Sequence, residues 1–218
     1  NMKCHEICEK YYDIHKGIYE WFNISFDYFG RTSTETHTEL VQEMFTNLYK
    51  NNLIETGTLT RFYCSVCQNH LADRLINGIC YHKECKGKGH ITNGDQCDYC
   101  GHLIDPMEII APKCSICNAS PKQVETDHLF LKLNNPDILD KVSNYMGYGK
   151  HSDTTNSIYR SWNPIRNRCI TRDIKWGIPI PNVDGKLDDY KNKVLYVWFD
   201  APVGYKSILY EHFIKQKT

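Results

Sequence analysis

The sequence predicts an α/β protein interrupted by a small metal-dependent module, and three observations carry that reading. Two stretches near the start, residues 4–22 and 40–48, place apolar residues at helical steps. Residues 194–199, Val-Leu-Tyr-Val-Trp-Phe, form an unbroken apolar run rich in β-branched and aromatic types, the pattern of a buried parallel strand. Between them, from about Arg61 to Lys122, apolar residues thin out while glycines and cysteines accumulate.

In the first helix Ile7, Tyr11, Ile14, Ile18 and Phe22 recur at steps of three or four, one stripe expected to pack into the core. A brief alternation over Ile24–Tyr28 follows. Thr32 and Glu35 then have the spacing of a capping box ahead of Leu40, Val41, Met44, Phe45 and Leu48, a second amphipathic helix ending near Asn51–Asn52. The stretch 61–122 has too little apolar surface to order itself, so metal coordination must supply the missing free energy. His128–Leu133 alternates like a strand, residues 134–168 are polar and Asn-rich without clear period, and the turn Asp200-Ala201-Pro202-Val203-Gly204 leads into a helix-like tail.

Lys plus Arg number 26 and Asp plus Glu also number 26, so no excess of positive charge points to DNA or to any nonspecific polyanion. Thiolates bound to two zinc ions lower the net charge further, by about four. No run of eighteen apolar residues exists, and the opening residues have the marks of neither a signal nor a transit peptide, which predicts a soluble protein with no membrane association.

The cysteines carry the strongest signal. Of eleven, eight stand in four short-spaced pairs: Cys64 with Cys67, Cys80 with Cys85, Cys97 with Cys100, and Cys114 with Cys117. A CxxC turn offers two thiolates to one tetrahedral Zn²⁺, and two such turns close a structural site, so four pairs imply two zinc ions. Disulfides are disfavoured by the odd count and the lack of an export signal, and a redox dithiol by the repetition. Catalytic zinc would need an open coordination position, which eight sulfurs do not leave. Spacing does not decide which pairs share an ion, since 12, 11 and 13 residues separate them and loop closure depends only weakly on length. His82, inside the irregular Cys80–Cys85 pair, is an alternative ligand to one of those cysteines, and both cysteines are favoured. Cys4, Cys8 and Cys169 read as structural thiols.

Residues 194–205, VLYVWFDAPVGY, closely resemble the methionine-site strand and turn of methionyl-tRNA synthetases. Phe26-Asp27-Tyr28-Phe29 with Arg31-Thr32-Ser33, Leu71–Arg74, Gly94–Cys97 and Ile170–Asp173 resemble that family in the same order. The resemblance implies a class I synthetase with a partial Rossmann-type parallel-sheet core over residues 1–30 and 169–218. A connective insertion over 31–168 interrupts it, carrying a zinc-knuckle module at about 61–122.

The resemblance also implies nested zinc pairing, with Cys64, Cys67, Cys114 and Cys117 around one ion and Cys80, Cys85, Cys97 and Cys100 around the other. It places Trp198, Ala201, Pro202 and Tyr205, with Ile208 behind them, at the methionine pocket, and makes Arg172 the candidate cation for the carboxylate or phosphate side of the reaction. Without the family, Trp198 reads as core packing and Arg172 as an ion pair with Asp173. Asp73 and Arg74 read as a local salt bridge or as a means of docking the module.

The implied substrates are methionine, ATP with Mg²⁺, and tRNA(Met), in a cytoplasmic enzyme. No HIGH-like or KMSKS-like sequence is present, so the 218 residues alone are expected not to form methionyl-adenylate. The competing reading is a stand-alone zinc ribbon that binds protein or RNA.

Overall fold

A computed structural model describes residues 2–71, 73–85, 87–147, 151–161 and 165–215. Two compact units emerge: residues 56–128 with 172–174, and residues 1–55, 129–171 and 175–218.

The first of these is built on short antiparallel strands. The long strand β1 (Ile54–Cys64) runs into it and is met by β2 (Asn69–Leu71), Cys64 opposite Asn69, across the first CxxC turn. Strand β3 (Ile76–Ile79) is flanked by β4 (Ile91–Asn93) and β5 (Ile110–Cys114), and β6 (Lys122–Leu131) leads out of the unit. Gly78 is required where β3 meets β5, because a Cβ there would lie 2.7 Å from the carbonyl oxygen of Ile110. The buried centre consists of Phe62, Leu71, Ile76, Ile104 and Ile109 together with Cys64, Cys80, Cys85, Cys97 and Cys114. Half of this core is sulfur, which matches the thin apolar content of the sequence.

The second unit holds the helices α1 (Cys4–Trp21), α2 (Glu35–Lys50), α3 (Pro136–Gly147), α4 (Asp153–Ser161), α5 (Val197–Asp200) and α6 (Gly204–Lys215). Its remaining strands are β7 (Arg168–Cys169), antiparallel to the end of β6, and the pair β8 (Thr171–Arg172) and β9 (Val194–Leu195). Val41 and Phe45 of α2 are fully buried against Ile54, Leu129, Ile170, Ile178, Leu187 and Leu195.

Several expectations change. Helix α2 is capped not by Thr32 but by Thr34, whose hydroxyl accepts from the His37 N–H at 3.2 Å, and it stops at Asn51 with Asn52 left-handed at φ 57°. The α1 stripe forms, yet Ile7, Tyr11, Ile14, Ile18 and Phe22 remain exposed rather than entering a core. The apolar run 194–199 is not one strand. Its pairing includes a bridge from Val194 to Pro179, Leu195 donating to Ile178 and Tyr196 donating to Ile170; the chain then turns into α5. Continuous apolarity cannot separate strand from helix.

Residues 134–168 hold two helices that their polarity concealed. Asn135 caps the first, its side chain accepting from Asp137 N–H at 2.9 Å just before Pro136, and Ser152 caps the second through Thr155.

Candidate metal centres and the amino-acid site

The three regular CxxC turns share one backbone device. The residue after each second cysteine, Gln68, Gly101 or Asn118, is left-handed, with φ of 50°, 71° and 61°. That reversal turns the chain back so that Gly101 donates to the Cys97 carbonyl and Asn118 to the Cys114 carbonyl, presenting both sulfurs on one side. The Cys80–Cys85 pair closes differently, through Cys85 N–H donating to the His82 carbonyl.

Cys64, Cys67, Cys114 and Cys117 converge, and so do Cys80, Cys85, Cys97 and Cys100, the four sulfurs of each group lying within 4.8 Å of one another. Cross-pair distances are 3.4 Å (Cys64–Cys117), 3.8 Å (Cys67–Cys114), 3.9 Å (Cys80–Cys100) and 3.8 Å (Cys85–Cys97). A tetrahedron with Zn–S bonds near 2.3 Å has edges of about 3.8 Å, so both clusters have the size a zinc ion requires. His82 belongs to neither; its Nε2 lies 3.0 Å from the Leu103 carbonyl oxygen, and the ring stacks on His102.

Each cluster favours one thiolate. The Cys67 N–H, 3.4 Å from the Cys64 sulfur, brings that thiol down to about 7, whereas the Cys117 side chain, with burial, drives Cys67 up to about 12. In the other cluster burial opposes ionisation of Cys97, but the N–H groups of Cys100 and Tyr99 hold it at about 6, while burial pushes Cys85 up to about 12. Four sulfurs crowded together cannot all ionise without a cation between them; a dication would release the remaining protons. Both clusters could therefore hold a zinc ion.

The residues that the family resemblance assigns to a methionine pocket lie in the helical unit. Trp198 in α5 and Tyr205 in α6 stand 73% and 87% exposed, Pro202 is exposed, and Ala201 and Ile208 are half-buried. A short 3-10 turn over Ala201–Val203 joins the two helices. Asp200, at the head of this turn, has its carboxyl pushed up to about 6 by burial, against the opposing N–H groups of Ala201 and its own backbone.

Arg172, half-buried on β8, belongs to the cysteine-bearing unit. Its neighbour Asp173 accepts from Thr126 Oγ1 and lies 3.1 Å from Nε2 of the buried His128. Arg74 forms a 2.9 Å salt bridge with Asp95, the local reading of that motif. Periodicity gave no sign of the Asp173–His128 contact or of a buried pair between His37 Nδ1 and Ser207 Oγ at 2.9 Å, since the partners lie far apart in sequence.

The family model described as tRNA synthetases class I (M) matches residues 1–218. The chain is 47% identical over 211 residues to the methionine–tRNA ligase of Acanthamoeba polyphaga mimivirus, covering 95% of this chain and 38% of that protein. It is 44% identical over 209 residues to the cytoplasmic methionine–tRNA ligase of Saccharomyces cerevisiae, covering 93% of this chain and 26% of the relative. Among solved structures, Mycobacterium tuberculosis methionyl-tRNA synthetase in complex with methionyl-adenylate shares the fold, with a TM-score of 0.52 at 18% identity, covering 89% of this chain and 32% of that one. The chain thus spans about a quarter to two-fifths of the length of these relatives. On the full-length family match and these identities, it belongs to the class I tRNA synthetases of the methionyl type.

Proposed function

We propose that this chain is a central segment of a cytoplasmic methionine–tRNA ligase, which joins methionine to ATP with release of pyrophosphate and passes the methionyl group to tRNA(Met). The observation that carries the reading is the Val194–Tyr205 segment, folded as a strand end, two helical turns and the start of α6, inside a chain whose whole length matches the family. That extent also argues against a stand-alone zinc ribbon, which would leave the helical unit without a role. Residues 31–168 are the connective insertion, and 1–30 with 169–218 contribute to the catalytic core.

In this reading Trp198, Ala201, Pro202, Tyr205 and Ile208 form part of the methionine pocket. Methionine offers a flexible thioether and no hydrogen-bonding group on its side chain, so selection rests on apolar and sulfur–aromatic contacts, each worth about 0.3–1.5 kcal/mol. Arg172 suits a carboxylate or phosphate oxygen, because its planar guanidinium donates two parallel bonds. ATP enters as its Mg²⁺ complex. Cys64, Cys67, Cys114 and Cys117, and separately Cys80, Cys85, Cys97 and Cys100, hold zinc, which supplies cross-linking of the module and no step of the reaction.

The test is Trp198→Ala in a full-length ligase carrying these residues, followed by methionine-dependent pyrophosphate exchange. The expected outcome is a rise of about tenfold or more in the methionine KM, equal to at least ~1.4 kcal/mol, with the ATP KM little changed. A folded variant that shifts only the ATP KM would overturn the pocket assignment.

A further inference from the structure

Residues 28–37 are fastened to α6 four times over. The Tyr28 hydroxyl donates to Glu211 Oε2 at 3.0 Å. Gly30 lies so close to Ile208 that a Cβ there would stand 2.7 Å from its Cγ1 and 2.8 Å from its Cγ2. A Cβ on Gly204 would meet Thr32 Cγ2 at 2.9 Å. His37 and Ser207, both fully buried, approach to 2.9 Å between Nδ1 and Oγ. The positions engaged on α6 are 204, 207, 208 and 211, the spacing of one helix face. Tyr205 falls off that face and is exposed.

We infer that the Tyr28–His37 segment is a positioning element for the amino-acid pocket: it fixes the rotation of α6 about its axis, and so the placing of Tyr205 and Ile208, without itself touching methionine. This rests on the proposal that those two residues line the pocket. The Ser207 hydroxyl also reaches the Gly204 carbonyl at 3.2 Å, so an imidazole carrying its proton on Nδ1 completes a chain His37–Ser207–Gly204 as its donor. Burial lowers the His37 pKa, which disfavours the charged ring. The two glycines do the complementary work. At Gly30 the atoms a methyl would strike are both bonded directly to the Ile208 Cβ, so they cannot swing aside as the tip of a long side chain would, and the helix itself has to move.

Gly30→Ala, Ser207→Ala and His37→Gln, placed one at a time in the full-length ligase, test this. Each is expected to raise the methionine KM roughly three- to tenfold, the range set by one buried hydrogen bond, with the ATP KM and kcat within about twofold of the parent. Each should also displace the Ile208 Cδ1 methyl resonance in methyl-labelled protein. Equal shifts in the methionine and ATP KM values, or a methyl resonance that stays in place, would overturn the inference. Tyr205→Ala, run alongside, separates two kinds of failure. If it raises the methionine KM and the three variants do not, the positioning role falls alone; if it leaves that KM unchanged, the pocket reading falls and takes this inference with it. Should His37→Gln fail to fold, the two alanine variants, each altering a single small group, decide the matter.

Discussion

Asp200 sits where β9 and α5 give way to the turn before α6, and burial holds its carboxyl at about 6 against an ordinary value of 3.8. Between those values the folded chain binds more protons than the unfolded one. Stability therefore falls as pH rises through this window and is recovered on acidification toward the unfolded value. Chemical denaturation from pH 4.5 to 7.5 should show that slope, and Asp200→Asn should flatten it; an unchanged slope would place the proton uptake elsewhere. Legibility at this scale depended on distance along the chain. The eight clustered cysteines announce themselves because each has a partner within five positions, whereas His37 and Ser207 are 170 residues apart and neither has local company that sets it aside from ordinary helix residues. The exposed pose of Trp198 was equally hidden, since an apolar run says nothing of which side chains face outward.

Among the elements, α1 and α2 were readable from their helical period and α6 as the helix-like tail after the Asp200–Gly204 turn; all three fall where the sequence places them. Helices α3 and α4 were not; they are short, and the cap chemistry at their starts, Asn135-Pro136 and Ser152, lies in a stretch rich in other polar residues. Strands β2 to β5 of the cysteine-bearing unit are five residues or fewer, lengths at which strand pairing alone is marginal. Metal at the clusters supplies the rest of their order beside a small apolar core. The purified protein should accordingly contain two zinc ions per chain by elemental analysis, falling to one in Cys97→Ser. Chelation should abolish the cooperative unfolding of the 56–128 unit, followed by Tyr63, Tyr81 and Tyr99 fluorescence. Zinc that exchanges freely without loss of that transition would argue for a storage site instead.

For the molecule as a whole, no helix among the described residues is long and apolar enough to cross a membrane. Nevertheless α1 leaves Ile7, Tyr11, Ile14 and Ile18 between 42% and 48% exposed, with Trp21 and Phe22 at 79% and 61%. Exposed apolar residues at helical spacing are the kind of surface through which chains associate. The 218-residue chain in isolation should self-associate reversibly at micromolar concentrations in sedimentation velocity, and Ile14→Lys with Ile18→Glu should return it to a monomer. A monomer in both cases would mean that α1 folds its apolar side back on itself.

The cluster that includes Cys67 and Cys114 holds these two sulfurs 3.8 Å apart, so the stretch between them begins and ends at one fixed point. A bead threaded on a closed loop can be enlarged without stretching the string on either side. Extra residues at 87–89, where a side chain on Gly87 or Gly89 would meet no neighbour, would lengthen a loop within that stretch while Cys67 and Cys114 stayed pinned by their cluster. Insertions there are expected to leave the register of the rest of the chain unchanged.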